Sequence, residues 1–402
     1  MADRAFARSL TAAAAAAARG RVTPFYLFEP DVALERMRRW RAAAGADTDL
    51  FYPWKCNRHD ALVDLAESEG LGAEATAAED LEAILGRFAG SRVLYQGPAK
   101  SPEALERAIA AGAWLIADSE EDAEAILAVG RSLRIPPRYL LRFRPPSSQT
   151  SQHAFGLEPE RALEVCARLQ RARRPLPAGL SFHLGTGIPS PAPFVEAVRE
   201  AGQLAAAVRG RGISLAILNV GGGFAALREA RRSLSGRPEG RPASAVEYLG
   251  AIRRAVREAF PVPGLRLFAE PGRAIASDAF HLVTRVVRVV GRRVYVDASR
   301  MSHAYFVARG RHPFVPVPRR SGGGKSEVAG PLPVDLDRLS NGETIGRPKA
   351  GDLLVIGAVG AYNLIAANAW AGRVPEIVAI SGSRGGRRSY APTRRSRRSP
   401  RR

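Results

Sequence analysis

Eight short apolar runs, each separated from the next by a longer, helix-patterned stretch, occupy the middle of the chain. The runs are Leu50–Lys55, Leu71–Ala75, Arg92–Gly97, Trp114–Ser119, Tyr139–Arg144, Gly179–Gly185, Leu215–Gly222 and Leu265–Gly272. The stretches between them include His59–Glu69, Ser101–Ala111, Glu120–Leu133, Glu158–Arg171, Pro191–Arg209 and Ala245–Phe260. Parallel strands need crossovers long enough to hold a helix, so this alternation selects a parallel α/β fold. Eight is the strand count of a closed (β/α)8 barrel. The rival is a doubly wound open sheet, but no G-x-G-x-x-G turn follows the first run. The barrel is expected over residues 30–273.

Beyond Arg273 the texture changes. His281–Val290 and Arg293–Asp297 are rich in β-branched residues with no helix between them, and Asp352–Ile356 and Glu376–Ile380 are further strand candidates. Ser321–Lys325 (SGGGK) reads as a loop. A mostly β domain is expected over residues 274–380, with the strand-like segment 23–28 standing outside the barrel. Residues 381–402 are low in complexity, with no apolar period, and should be disordered.

Composition sets limits on function. The 402 residues are 46% hydrophobic and 25% charged, ordinary for a globular enzyme. Nine of the arginines lie in Arg384–Arg402; without them the net charge of +21 falls to +12. No binding motif accompanies that charge, so no specific nucleic-acid role is expected. No apolar run reaches membrane-span length, and the alanine-rich Ala12–Ala18 lacks the core of a signal peptide. Two cysteines, Cys56 and Cys166, make no disulfide framework and suit a reducing cytoplasm. No metal site is expected.

Several segments carry chemistry. Phe51–Asn57 (FYPWKCN) ends an apolar run on Lys55. Such a lysine either snorkels to solvent or is an amine set to form a Schiff base. Val220–Phe224 (VGGGF) leaves backbone N–H groups open to an anion, or simply makes a tight turn. Glu270–Arg273 (EPGR) places an acid and an arginine at a strand end, where they either pair or serve two parts of one ligand. Ser181–Gly187 (SFHLGTG) holds His183 and Thr186, and Gly360–Asn363 (GAYN) puts Tyr362 on a turn.

In this order, these segments resemble the PLP-dependent decarboxylases with an alanine-racemase-like barrel (fold type III), the diaminopimelate, ornithine and arginine decarboxylases. The matching stretches also include TPFYLFE near the start, VDA at Val296–Ala298, HP at His312–Pro313 and GP at Gly330–Pro331, and they cover about Thr23 to Ile380. The resemblance implies a barrel plus a β domain that takes in the N-terminal strand, pyridoxal 5'-phosphate as cofactor, and a homodimer with active sites shared between subunits. By the same resemblance Lys55 is the Schiff-base lysine, His183 stacks on the pyridine ring and Glu270 partners the ring nitrogen. Gly221, Gly222, Gly223, Thr186, Arg273 and Tyr362 form the phosphate cradle. Glu74 stands where the family has an aspartate near the lysine, and Arg142 matches an arginine of the fifth strand. An acid opposite the ring nitrogen keeps the ring an electron sink, which favours decarboxylation over racemisation.

The chain departs from the family where a cysteine usually donates a proton across the dimer. Here Pro333 occupies that position and has no acidic proton; Asp335, Asp337 and His303 are the candidate replacements. Val334 stands where diamine-forming members carry an acid, and Ala154 replaces a lysine. Arg300, His303, Arg309 and His312 would make that side of the site basic, which suits a carboxylate-bearing substrate such as the citryl-diamino acids of siderophore pathways. The alternatives are other PLP chemistry on the same barrel (racemase or aldolase), or a PLP-binding homologue without catalysis.

Overall fold

Proline ends the first barrel strand and thereby sets the position of Lys55. In the computed structural model, which describes residues 2–148, 155–228, 241–260, 264–307 and 312–380, a short strand β1 (Phe25–Phe28) precedes the barrel. The next strand, β2, runs Thr48–Pro53. Pro53 cannot donate to a ladder, and the chain turns through a 3-10 segment, Trp54–Cys56. Lys55 therefore sits on a turn above the strand rather than at the strand's own end, where the sequence pattern places it.

The barrel continues through β3 (Gly72–Ala75), β4 (Val93–Tyr95), β5 (Trp114–Ala117), β6 (Arg138–Arg142), β7 (Gly179–Ser181), β8 (Ile217–Asn219) and β9 (Arg266–Ala269). All are parallel, and β9 pairs back onto β2 to close the ring. Each of the eight apolar runs supplies one of these strands. The helices between them follow their local signals. Ser101 caps the helix Pro102–Ala110 by accepting from the Ala104 N–H, Pro102 occupies the first turn, and Leu105, Ala108 and Ile109 form its buried face. Ser244 and Glu247 form a capping box on Ala245–Ala259.

Period-two alternation sorts each strand's side chains. Phe51, Leu94, Ile116, Leu140, Ile217 and Phe268 pack together inside the barrel. Their neighbours Leu50, Tyr52, Val93, Tyr95, Leu115, Leu141, Leu218 and Leu267 face the helices. One step further along each strand, on the same inward face, stand Glu74, Gln96, Asp118, Arg142, Ser181, Asn219 and Glu270. An apolar layer thus carries a polar layer at the C-terminal mouth, the end where barrels of this architecture place their chemistry.

The second sheet is built from β10 (Phe280–Val290), β11 (Arg293–Val296), β12 (Phe314–Val317), β13 (Lys325–Ala329), β14 (Arg338–Thr344), β15 (Leu353–Ile356) and β16 (Glu376–Ala379). β1 lies between β10, antiparallel, and β16, parallel. Phe28 of β1 stacks on Phe280 at 4.3 Å between ring centroids, and both belong to the barrel-side core. The closed parallel barrel with a mostly β C-terminal sheet is the fold class that the sequence predicts. The arginine-rich segment 381–402 lies outside the described residues. Among those residues, no helix is long and apolar enough to cross a membrane.

Candidate functional site

All eight strands contribute to one cleft at the C-terminal mouth. Lys55 Nζ lies 2.6 Å from both carboxylate oxygens of Glu74 and 3.1 Å from Thr76 Oγ1. Glu74 is fully buried, whereas the Lys55 side chain keeps 34% of its surface open. The amine is therefore held in place by its partner and is still reachable. Thr76 also donates to Glu74 Oε1 at 2.9 Å.

Gln96 Nε2 donates to Glu74 Oε1 at 2.8 Å and to Glu270 Oε2 at 2.9 Å. Glu270, 2% exposed, accepts a second bond on Oε1 from Asn219 Nδ2 at 2.8 Å. Asn219 Oδ1 in turn accepts the Gly221 N–H at 2.9 Å. A continuous chain of hydrogen bonds runs from Lys55 through Glu74, Gln96, Glu270 and Asn219 to the glycine turn. Burial pushes the Glu270 carboxyl up, and the nearby Glu74 charge adds to the rise; Lys55, Asn219 and Gln96 pull the other way. Two oxygens bonded to one amide nitrogen lie roughly 5 Å apart, so their charges repel by about 3 kcal/mol at an interior effective dielectric near 20.

His183 is half-buried beside the glycines. Its Nδ1 accepts the Gly222 N–H at 3.2 Å, so the ring proton sits on Nε2. Burial, followed by the positive charges of Arg142 and Lys55, lowers its pKa to about 3 and keeps the ring neutral. Arg142 Nη1 donates to Asp118 Oδ1 at 2.7 Å. Gly221 and Gly223 have φ of 65° and 94°. A Cβ at Gly221 would stand 2.5 Å from Phe182 O and 2.8 Å from His183 Nδ1, and one at Gly223 would stand 2.4 Å from Gly185 O. Only glycine brings this backbone so close to its neighbours. Across the turn, Arg273 Nε donates to Thr186 Oγ1 at 3.1 Å, and its guanidinium lies 5.2 Å from the Tyr362 ring centroid. Tyr362 reaches the barrel from the β domain, its N–H bonded to Cys56 O at 2.8 Å. Burial pushes its hydroxyl pKa up, so the phenol keeps its proton.

The structure therefore gathers the eleven sequence-predicted residues around one mouth: Lys55, Glu74, Arg142, His183, Thr186, Gly221, Gly222, Gly223, Glu270, Arg273 and Tyr362. Four participants escape the motif reading: Thr76, Gln96, Asp118 and Asn219. Their signal is positional. Gln96, Asp118 and Asn219 each stand two residues beyond an inward apolar side chain.

Two of the three candidate replacements for the missing proton donor are taken up inside the β domain. Asp337 is buried and accepts from Ser299 Oγ, Arg300 N and Leu332 N, so it organises its own segment. Asp335 points to solvent, 3.6 Å from Arg338. His303 is 1% exposed, its Nδ1 accepts the Ser299 N–H, and burial lowers its pKa. His312 is also buried, bonded to Gly357 O. The basic side expected from the sequence is thus reduced, because both histidines are taken up inside the β domain. Arg309 lies outside the described residues.

Residues 32–277 match the family model for the pyridoxal-dependent decarboxylase, pyridoxal binding domain. The chain is 32% identical over 359 residues to the diaminopimelate decarboxylase of Deinococcus radiodurans, covering 85% of each chain. It is 26% identical over 382 residues to the ornithine decarboxylase of Panagrellus redivivus, covering 88% of this chain and 84% of the other. Among solved structures it is similar to the diaminopimelate decarboxylase of Helicobacter pylori complexed with L-lysine. That likeness has a TM-score of 0.79 at 22% identity, over 90% of this chain and 92% of the other.

Proposed function

The chain belongs to the pyridoxal-dependent decarboxylase family, and from that premise we propose how its residues carry out the reaction and what its substrate carries. It is a PLP-dependent amino-acid decarboxylase. The residues fit the cofactor on this chain's own terms. A reachable amine, a glycine turn that no side chain could enter, an arginine beside a hydroxyl, and a buried acid lie in one mouth. Lys55 would hold the carbonyl carbon of PLP. Gly221, Gly222, Gly223, Thr186, Arg273 and Tyr362 would hold the phosphate, His183 a face of the ring, and Glu270 the ring nitrogen.

Bound PLP supplies a conjugated ring that takes the electron pair left behind when CO2 departs. The protein supplies the rest. Glu74, 2.6 Å from Lys55 Nζ, is the acceptor in place for the proton that the amine must lose before it becomes a nucleophile. Glu270, held by two amides, places a carboxyl at the buried end of the site, where burial and the Glu74 charge raise its pKa and the two donors oppose the rise. His183, neutral, contributes a flat polarisable face without adding a charge. Burial of Glu74 and Glu270 keeps water from screening these charges. The observation that carries the reading is the unbroken chain from Lys55 to Glu270, which ties the amine to the acid.

For the substrate, we infer an α-amino acid whose far end bears a carboxylate rather than a lone cation. Val334 and Pro333 offer that end no acid. Diaminopimelate and the carboxylated intermediates of siderophore pathways both meet the description. Homodimerisation is inferred as well, with the segment 330–337 contributed to the neighbouring subunit's site. Cys56 and Cys166, both buried and neither in a disulfide, accord with a cytoplasmic setting.

Borohydride treatment of the purified protein should fix PLP on Lys55, as mapped by peptide mass, and Lys55→Ala should abolish the adduct. An adduct at another lysine would refute the assignment. CO2 release and product mass from a panel of amino acids with cationic, neutral and carboxylated far ends then define the substrate. Turnover of only the cationic members would overturn the carboxylate inference.

A further inference from the structure

Gln96 is a neutral group that touches both buried carboxylates of the cleft. Its Nε2 stands 2.8 Å from Glu74 Oε1 and 2.9 Å from Glu270 Oε2. Both oxygens are acceptors when ionised, and an amide nitrogen has two hydrogens, one for each. The opposite amide orientation would set a carbonyl oxygen against two carboxylates, so the network fixes the orientation.

We propose that Gln96 is a positioning residue that lets Glu74 and Glu270 carry their charges at the same time. Lys55 is the cation that faces the two acids, and it is spent on Glu74 with bonds to both oxygens. The hydrogen-bond partners of Glu270 are the uncharged amides of Asn219 and Gln96. Two carboxylates this close usually share a proton, as one of them becomes a far weaker acid. Donors shared between them oppose that outcome, because each hydrogen bond favours the ionised acceptor. The other charged and titratable groups around the pair are Asp80 and Arg58, His183 and Arg142, and Tyr362 with Arg273 and Cys56. Of these, Asp80 interacts through space with Glu74, and Tyr362 with both acids, whereas the two amides bond Glu270 directly. The consequence for catalysis rests on Glu270 acting at the ring nitrogen; the charge state of the pair does not, and can be measured on apoprotein.

The test is the isosteric Gln96→Glu variant, compared with wild type as apoprotein by thermal unfolding at about pH 8 and about pH 5.5. The new acid fills the same volume but, ionised, adds a third negative charge and loses both donors. Its Tm should fall below wild type by roughly 5 °C or more at the higher pH, or the variant should fold only at the lower pH. At the lower pH the introduced carboxyl can take up a proton and donate again, and the deficit should shrink by at least about half. Equal Tm at both pH values, or an equal deficit at both, would overturn the proposal. Gln96→Met, which fills the volume without donors or charge, separates the role from the cost of burying a new carboxyl. It should show a protonated glutamate in the infrared spectrum at neutral pH that wild type lacks. Should Gln96→Glu fold at neither pH, carboxyl-labelled infrared spectra of wild-type apoprotein decide. No protonated glutamate that disappears in Glu270→Gln or Glu74→Gln should be present at neutral pH. Finding one would refute simultaneous ionisation while leaving the decarboxylase reading intact.

Discussion

Single side chains decide the electrostatics of this cleft, and two of them make separable predictions. Glu270→Gln keeps the shape and the bond to Asn219 but removes the charge. Arg273, Thr186 and the glycine turn are untouched, so the variant should still bind PLP. Turnover on an established substrate should fall about a hundredfold or more, the usual scale for deleting one preorganised electrostatic group. Full activity in Glu270→Gln, measured as CO2 release, would remove Glu270 from the mechanism. His183 makes a prediction about pH. Its folded pKa of about 3 lies below the ordinary 6.5, so the unfolded chain binds a proton there that the folded protein refuses. Its contribution to stability is present above about pH 6.5 and is lost as pH falls toward 3. In His183→Gln the slope of unfolding free energy against pH between about 6.5 and 4 should be smaller, by up to one proton. His59 and His303, also lowered by burial, keep their share of the slope.

Elements were legible where a pattern repeated, and obscure where one contact decided. All eight barrel strands could be read from apolar runs, because a strand covered by helices outside and packed inside must be apolar on both faces. The turn after β2 could not, because Pro53 ends the ladder two residues before the lysine that closes the run in the sequence. The motif residues at the mouth could be read because glycines, an EPGR turn and a histidine after a strand are conspicuous. Gln96 and Asn219 were not, because an amide is chemically unremarkable until geometry shows it bonded to a buried acid. The two-residue step above Leu94 and Ile217 marks both positions. The loop joining β8 to the next helix yields a further prediction. Gly223 has φ of 94°, and an added Cβ would stand 2.4 Å from Gly185 O. Gly223→Ala should cost roughly 1–3 kcal/mol of stability. Unlike a change remote from the mouth, it should also weaken PLP binding to apoprotein in a fluorescence titration. Wild-type affinity in a destabilised Gly223→Ala would show that this turn serves the fold alone.

At the scale of the whole molecule the barrel and the β domain meet at the cleft. Tyr362 N–H bonds to Cys56 O, and Asn57 Nδ2 bonds to Gly360 O at 2.9 Å, so the two units hold the Lys55 turn between them. The face of the β domain beyond that contact is less complete. The segment 330–337 is wound around the buried Asp337 carboxylate, which accepts from Ser299, Arg300 and Leu332. That internal bracing turns Val334 and Leu336 outward, 42% and 65% exposed. Tyr305 and Trp370, elsewhere in the same domain, are 37% and 61% exposed. A rigidly built loop that offers apolar side chains to water is better explained by a covering surface than by solubility. A second copy of the chain is the occupant that the shared-site reading supplies. If so, Leu336→Glu should shift the protein toward monomer in sedimentation velocity, because the new carboxylate would be buried without a partner. The internal network of Asp337 does not use the Leu336 side chain, so the fold of each subunit should survive, as judged by circular dichroism. Activity should fall with dimer content and return at high protein concentration, where mass action restores association. A Leu336→Glu protein that is dimeric and fully active would move the interface elsewhere. A monomer of undiminished activity would show that each site is complete within one chain.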